Sequence, residues 1–241
     1  MRLRVFVFGL LAAALWFGAR GVVRPRARAW QIIAPGIEMR VLRTPHGNVT
    51  ALRAAAIRIR ILGGGRRAEL LDVAEWRRRA NVPVAVNGGF FDDKDRALGL
   101  RIARARKISP LHPGDWGVFF VRQNRAQIQH TRDFKMQSGI SEAVQCGPRL
   151  VVGRRVVKLK DQWARRTALG IQRDGRVILA VADDAWSLRD WAALWLSPDG
   201  LNCPDALGLD GGPSTQLSVQ TKARSLEIGG YGNVADAVAI N

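Results

Sequence analysis

Three stretches of the sequence place a polar side chain beside glycine at the end of an apolar segment. They are "AVNGGFFD" (85–92), "QCGPRLV" (145–151) and "LGLDGGPST" (207–215). Glycine permits tight turns and a close approach of a ligand to the main chain. A turn alone does not require Asn87, Gln145 and Asp210 at the same place each time. Their recurrence predicts a cleft built at the ends of neighbouring strands.

Two further stretches add charged side chains to this set. "RRTALGI" (165–171) begins a strand with Arg166 and Thr167, and a guanidinium can bind phosphate through paired hydrogen bonds. A solvated charge at a strand edge would explain the same arginine. "LAVADD" (179–184) ends a strand with Asp183 and Asp184, one of which we expect in the cleft and the other in solvent.

Several common kinds of site do not fit the sequence. Ser214 lies in G-P-S-T-Q and not in a G-x-S-x-G turn, and neither GxxxxGK[ST] nor GxGxxG occurs between a strand and a helix. The three histidines are scattered and the two cysteines form no CxxC, which argues against zinc. Asp92, Asp93 and Asp183 offer oxygen ligands for Ca²⁺ or Mg²⁺, although no spacing requires a cofactor.

The elements that position these residues are mostly strands. "AAIRIRIL" (55–62) alternates isoleucine with arginine, the period of a strand with one buried face. Three segments read as hairpins: "WGVFFVRQNRAQIQH", "PRLVVGRRVVKL" and "TALGIQRDGRVILAVAD". "LLDVAEWRRRA" and "SLRDWAALWL" read as helices, the second with Ser187 as N-cap and Asp190 three residues later. The sum predicts one α+β domain, with a mixed, largely antiparallel sheet, a few helices and the active cleft at strand ends.

The composition and the amino terminus bear on location. The 241 residues are 47% hydrophobic and carry a net charge of +18, most of it in residues 1–106, which favours an anionic partner. "MRLRVFVFGLLAAALWFGAR" has the basic start and short apolar run of a signal peptide. Residues 1–29 are therefore a signal peptide or an uncleaved N-terminal anchor in the inner membrane, and residues 30–241 are the domain. We expect a periplasmic or secreted protein.

Export bears on the two cysteines, Cys146 and Cys203. In an oxidising compartment a disulfide between them would persist. Two buried free thiols fit the sequence equally well, and the two alternatives stay open.

Taken together, the ordered motifs resemble the phosphodiester glycosidase family. They are "AVNGGFFD", "QCGPRLV", "RTALGI" followed by "DGRVILAVAD", a Ser-Leu-x-x-x-Ala helix, "CPDALGLDGGPST" and "NVADAVAI". The resemblance covers residues 84–241, whereas residues 30–83 match loosely. Pro213 stands where many relatives have a third glycine, which alters the shape of the loop and bears on substrate identity.

This resemblance implies hydrolysis of a sugar-1-phosphodiester such as an N-acetylglucosamine-1-phosphodiester, within a cell-envelope glycan or exopolysaccharide. Breaking an anomeric C–O bond builds positive charge on the sugar, so Asp210 is expected to act as nucleophile or base, and Arg166 to bind the phosphate. Asp183 and Asp92 are reserve candidates for an acid/base role. Substrate contacts are expected at Asn87, Gly88, Gly89, Phe90, Gln145, Gly147, Arg166, Thr167, Gly211, Gly212, Ser214 and Thr215.

A second function class uses the same cleft without catalysis: binding or assembly of an anionic polysaccharide. Nucleic acid is not an expected partner, because aromatic residues are not interleaved with the arginine clusters. Association with a membrane through the N-terminal segment is compatible with either class.

Overall fold

The structure is a computed structural model that describes residues 26–27, 29–64 and 69–241. Most of the predicted signal peptide or anchor therefore lies outside the described residues. No helix among the described residues has both the length and the apolar character needed to cross a membrane.

The described chain forms strands for most of its length. In chain order the elements are β1 (Arg26–Ala27), β2 (Gln31–Ala34), β3 (Ile37–Thr44), β4 (Gly47–Ala54), β5 (Ile59–Gly63), α1 (Val73–Ala80), β6 (Val84–Asn87), β7 (Arg101–Ala103), β8 (Arg106–Ser109), β9 (Gly117–Arg122), β10 (Arg125–His130), β11 (Ile140–Cys146), β12 (Arg149–Val152), β13 (Arg155–Val156), β14 (Trp163–Ile171), β15 (Val177–Ser187), α2 (Leu188–Leu196), β16 (Asp205–Gly208), β17 (Leu217–Gln220), β18 (Ser225–Ile228) and β19 (Asp236–Ile240). Short 3₁₀ turns occupy Ala56–Arg58 and Gly212–Ser214.

Within the described residues these strands form three sheets. The largest has the order β1-β3-β4-β15-β14-β16-β12-β13, with β2 added beside β3. The second has the order β10-β9-β11-β7-β8, and the third β18-β17-β6-β19-β5. Every pairing between named strands in this part of the chain is antiparallel.

The two helices begin at side-chain caps. Ser187 caps α2 by accepting a hydrogen bond from the Asp190 amide at 3.1 Å, and its hydroxyl donates to the Asp190 carboxylate at 2.7 Å. Asp72 caps α1 by accepting from the Glu75 amide. Because Trp191 and Trp195 are four residues apart, they share one face of α2 and are buried against the largest sheet.

The predicted α+β class, largely antiparallel with few helices, is confirmed, and the three predicted hairpins form as β9–β10, β12–β13 and β14–β15. The predicted strand in "AAIRIRIL" begins later than its alternation suggested. Ile57 lies in the 3₁₀ turn and is 51% exposed, whereas Ile59 and Ile61 in β5 are buried. The turn leads the chain from β4 of the largest sheet to β5 of the third sheet. The alternating stretch therefore contains both this turn and the start of a strand.

One core cluster draws residues from all three sheets. It includes Leu179 of the largest sheet, Phe119 and Val144 of the second, and Val86 and Val238 of the third. The sheets therefore bury one another's apolar faces.

Cys146 and Cys203 are both free and buried. Burial raises the pKa of the Cys146 thiol to about 12 and raises that of Cys203 as well. The structure thus contains two inert thiols and no disulfide between them.

Candidate functional site

A cleft of about 340 Å³ is lined by β12, β14 and β16 of the largest sheet, by the start of α2 and by the loops that follow β6, β11 and β16. Its lining residues are Phe90, Gly147, Pro148, Leu150, Gln162, Ala164, Arg166, Thr167, Leu188, Trp191, Gly208, Leu209, Asp210, Gly211, Gly212 and Pro213. Among the residues that the structure describes, Asp210 is the one carboxylate in this lining. The cleft brings together parts of all the glycine-bounded stretches.

The chain changes sheets at Asp210. The preceding Leu209 amide still donates to the Thr167 carbonyl of β14 at 2.9 Å, whereas the Asp210 amide donates to the Gly88 carbonyl beyond β6 at 3.0 Å. The Asn87 side-chain amide donates to the Asp210 carbonyl at 2.7 Å. Both main-chain polar groups of Asp210 are thereby fixed, and its carboxylate is left to face the cleft.

The surroundings of the Asp210 carboxyl act on its charge in opposing ways. Burial raises the pKa of Asp210 above its usual range, and hydrogen bonds from the Ser214 hydroxyl and the Gly211 amide lower it. The Gly211 amide contact is 3.0 Å. The net result is a raised pKa, the state expected of a carboxyl group that works in a partly desolvated site.

Asn87 lies behind Asp210 and is fully buried. Its side-chain oxygen accepts from the Thr167 hydroxyl at 2.7 Å and from the Gln216 amide at 3.1 Å. With its nitrogen bound to the Asp210 carbonyl, Asn87 joins β6, β14 and the loop after β16. The structure thus places Asn87 against the main chain of Asp210, and Thr167 between Asn87 and the cleft.

Arg166 lines the cleft and is 8% exposed. Its Nε donates to the Trp186 carbonyl at 3.1 Å, and one terminal nitrogen donates to the Gln162 carbonyl. These bonds fix the plane of the guanidinium at the cleft wall. Such a fixed cation is suited to an anionic ligand group.

Gln145 is fully buried and uses its whole side-chain amide within the protein. Its oxygen accepts from the Leu100 and His112 amides, both at 2.9 Å, and its nitrogen donates to the His112 carbonyl and the Thr131 hydroxyl. Gln145 therefore has no free side-chain donor for the predicted contact with substrate oxygens. Its position connects the second sheet to the loop that carries Gly147, which does line the cleft.

Two of the predicted glycines, Gly88 and Gly89, lie beside the cleft and face the protein interior. A Cβ atom on Gly88 would lie 1.6 Å from Oδ1 of Asp236, and one on Gly89 would lie 2.3 Å from a terminal nitrogen of Arg101. Glycine is needed there for close packing against these side chains. Gly212 has φ +58° and open space around its Cβ position, so its requirement is the left-handed turn.

Of the remaining predicted residues, Ser214 and Thr215 lie near Asp210, whereas Asp183 and Asp92 lie away from the cleft. Ser214 lies near the Asp210 carboxyl and lowers its pKa, and Thr215 is fully buried. Asp183 is paired with Arg165 on the surface. Asp92 is paired with Arg96 beside a separate cavity of about 560 Å³, and the Arg96 guanidinium lowers the pKa of Asp92 to about 2. Neither Asp92 nor Asp183 is among the cleft lining residues.

The sequence-predicted oxygen ligands for a cation are also apart from one another. Within the described ranges, no group of three or more His, Cys, Asp or Glu side chains is arranged to hold a metal ion. Asp92 and Asp183 belong to separate ion pairs.

Sequence reasoning missed residues on both sides of the cleft. Leu188 and Trp191 of α2 form an apolar wall, and neither was predicted to line the cleft. Arg101 and Asp236 form a fully buried ion pair behind the cleft. Asp236 lies in the quoted "NVADAVAI" motif, where a charged residue inside an apolar strand was the available signal.

A family model and one curated relative match a large part of the chain. The family model described as phosphodiester glycosidase matches residues 80–240. YigE of Escherichia coli K12, described as an uncharacterized protein, is 28% identical over 154 residues, which are 58% of this chain and 59% of that protein's length. The chain thus spans less than two thirds of that relative.

Two solved structures share the fold. The catalytic domain of zebrafish N-acetylglucosamine-1-phosphodiester alpha-N-acetylglucosaminidase, auto-inhibited by its pro-peptide, has a TM-score of 0.67 at 16% identity, covering 93% of this chain and 85% of that one. A hypothetical protein from Synechocystis has a TM-score of 0.55 at 16% identity, covering 86% and 62%. With the family match over two thirds of its length, the chain belongs to the phosphodiester glycosidase family.

Proposed function

We propose that the protein is a hydrolase that cleaves the glycosidic bond of a sugar-1-phosphodiester, of which an N-acetylglucosamine-1-phosphodiester is the first candidate. The observation that carries this proposal is the Asp210 carboxylate, fixed by its main chain and partly desolvated in the cleft. Family membership supports a glycosidase-type function. The named sugar is suggested by the zebrafish enzyme with the same fold.

The cleft has the groups that such a reaction needs. As the anomeric C–O bond breaks, positive charge develops on the sugar, and the Asp210 carboxylate stabilises it as nucleophile or as base for water. Arg166 binds the departing phosphate. A phosphomonoester is a stable anion near neutral pH, so departure does not require a second carboxylic acid. This fits a cleft in which Asp210 is the one carboxylate among the described lining residues.

The test is hydrolysis of an N-acetylglucosamine-1-phosphodiester by the full chain and by Asp210→Asn, with free sugar and phosphomonoester measured separately. We expect both products from the wild type and a loss of at least ~100-fold in kcat for the variant, the scale of a charge-stabilising group. The matched control is Asp174→Asn, which removes a carboxylate paired with Arg176 at the β14–β15 turn. Activity equal in all three proteins would contradict the assignment of Asp210.

The non-catalytic alternative has its own signature in this experiment. If no diester in a panel is cleaved, with or without added Ca²⁺ or Mg²⁺, while the wild type and Asp210→Asn bind an anionic polysaccharide equally well, the cleft is a binding site. Catalysis instead predicts that the wild type cleaves a diester and that Asp210→Asn cleaves it far more slowly.

We also propose that the protein acts outside the cytoplasm on an envelope glycan or exopolysaccharide, because its leader is followed by a strongly basic domain. Fractionation of cells expressing the full chain, with N-terminal sequencing, tests this. A form that begins near Trp30 supports a cleaved signal peptide, and a membrane-bound form that begins at Met1 supports an anchor. A full-length form in the cytoplasm contradicts both.

A further inference from the structure

A buried ion pair lies directly behind the cleft. Arg101 begins β7 in the second sheet and Asp236 begins β19 in the third, and their side chains are both 0% exposed. The Arg101 Nε lies 2.8 Å from an Asp236 carboxylate oxygen. Replacing a buried ion pair by apolar residues is often neutral or stabilising, so stability alone is a weak reason for charge at this position.

The pair holds the chain segment that follows β6. The second Asp236 carboxylate oxygen accepts from the Gly89 amide at 2.9 Å, and the Asp236 carbonyl accepts from the Gly88 amide at 2.9 Å. Arg101 donates to the Phe90 carbonyl at 3.2 Å and to the Gln145 carbonyl at 2.9 Å. Three consecutive residues of the segment are therefore hydrogen-bonded to these two residues, Gly88 to the main chain of Asp236, and Gly89 and Phe90 to the two charged side chains.

The same segment positions Asp210. The Gly88 carbonyl accepts from the Asp210 amide, and the Asn87 side chain donates to the Asp210 carbonyl. A movement of Gly88 away from Asp236 would therefore move the main chain of Asp210. Gly88 has no room to move the other way, because even a Cβ atom would collide with Asp236.

The two charges also act on the Asp210 carboxylate across this short path. The negative charge of Asp236 raises the pKa of Asp210 and the positive charge of Arg101 lowers it, both less strongly than burial raises it. Two further titratable groups among the described residues are near Asp210: Cys146, which is neutral because its pKa is about 12, and Arg166, which lines the same cleft.

We propose that Arg101 and Asp236 are positioning residues for Asp210, which hold its main chain through the Gly88–Phe90 segment and balance the charge at its carboxylate. This inference rests on the proposed role of Asp210 in glycosidic cleavage. Neither residue contacts the substrate. Both residues act through charge and geometry, and the planar group of Arg101 reaches several oxygen atoms at once.

Two single substitutions separate these contributions. Arg101→Lys keeps the charge, but an ammonium group cannot reach the same set of acceptors. We expect kcat to fall about 10- to 100-fold, as small misplacements of reacting groups do, with the acidic limb of the pH profile of kcat/KM unmoved. Asp236→Asn removes a negative charge near Asp210 and leaves Arg101 uncompensated, so we expect the acidic limb to move to lower pH.

Glu142→Gln is the matched control, since Glu142 is also a buried carboxylate. It lies in β11 of the second sheet and accepts hydrogen bonds from the amides of Ile61 in β5 and Arg104 just after β7. Its loss is expected to lower stability without moving the acidic limb. A purely structural role for the ion pair predicts the same behaviour from Asp236→Asn. Wild-type kcat in Arg101→Lys together with an unmoved limb in Asp236→Asn would overturn the proposal.

Two additions keep the proposal testable whatever the single variants do. If either fails to fold by circular dichroism, Arg101→Met combined with Asp236→Leu leaves no charge at these two positions, and wild-type kcat in that double variant would overturn the proposal.

The Asp210 carboxyl can also be titrated by ¹³C NMR. Its signal is identified by its absence from the spectrum of Asp210→Asn. The titration midpoint of Asp210 must be lower in Asp236→Asn than in the wild type. If the double variant is used instead, its midpoint must differ from that of the wild type. Both requirements hold even if the wild type cleaves no diester. Lack of cleavage alone contradicts the proposed function, and an unchanged midpoint contradicts the charge role.

Discussion

Burial of the ionised Asp210 carboxylate in the cleft is unfavourable for the stability of the fold. Because burial raises its pKa, the folded protein binds the carboxyl proton more tightly than the unfolded chain does. The stability associated with that proton is fully present below the pKa of the unfolded chain, about 3.9, and is lost as pH rises through the folded-state pKa. At neutral pH the ionised carboxylate therefore destabilises the fold.

Asp210→Asn should consequently raise the melting temperature at pH 7. The asparagine oxygen can still accept a hydrogen bond from the Gly211 amide, and no charge is buried at position 210. We expect the gain to shrink as pH falls and to disappear below about pH 4, where the wild-type carboxyl is protonated in both states. Thermal unfolding by circular dichroism between pH 3 and 8 measures this. A gain of constant size across that range would mean that the raised pKa is not its cause.

Individual residues differ in how far the sequence could reveal their role. Asp210 and Asn87 stand out because glycine follows each at the end of an apolar strand, and the structure joins their loops. Gln145 has the same local signature, yet its side-chain amide is used entirely by Leu100, His112 and Thr131, which lie outside the strands. Arg101 and Asp236 are separated by more than a hundred residues, and a buried ion pair between them has no local pattern.

At the level of elements, α2 links helix stability to the shape of the cleft. Its first turn carries Leu188 and its second turn Trp191, which both line the cleft, and Trp186 just before it packs edge-on against Trp191. The Ser187 cap fixes where the helix starts. A helix that frays at this end would displace part of the cleft wall.

Ser187→Ala should therefore reduce both stability and substrate affinity. Loss of the cap should lower the free energy of unfolding by about 1 kcal/mol and raise KM more than it changes kcat, because α2 lines the cleft but does not carry Asp210. Asp72→Ala removes the cap of α1, whose residues do not line the cleft, and provides the control. The two variants should lose similar stability in urea unfolding, and an equal rise of KM in both would contradict the link to α2.

Local sequence patterns predicted the individual strands and hairpins better than they predicted how distant strands pair into sheets. Alternation and turn residues predicted the hairpins, because both strands and the turn lie within one short segment. The third sheet instead pairs β6 with β17 and β19, more than 120 residues further along the chain. Those strands are short apolar runs of similar character, and packing between sheets, which local patterns do not specify, selects their partners.

For the whole molecule, the shared core predicts cooperative behaviour. Residues of all three sheets contact one another in one cluster, which contains Cys146, while Cys203 belongs to the cluster between α2 and the largest sheet. Neither thiol is exposed in the folded protein. The two cysteines are thus probes of two different parts of the core.

Both thiols should become reactive in a single unfolding transition. Removing one sheet would expose the apolar faces of the other two, so partial unfolding is expected to be unfavourable. In native buffer at pH 8 we expect no labelling by a thiol reagent, since burial both excludes the reagent and keeps the thiols protonated. With increasing urea, mass spectrometry of each cysteine-containing peptide should give the same midpoint for Cys146 and Cys203, equal to the midpoint from circular dichroism. Labelling of Cys203 at clearly lower urea would instead show that α2 and its cluster unfold before the three-sheet core, and the cleft wall would then be the least stable part of the site.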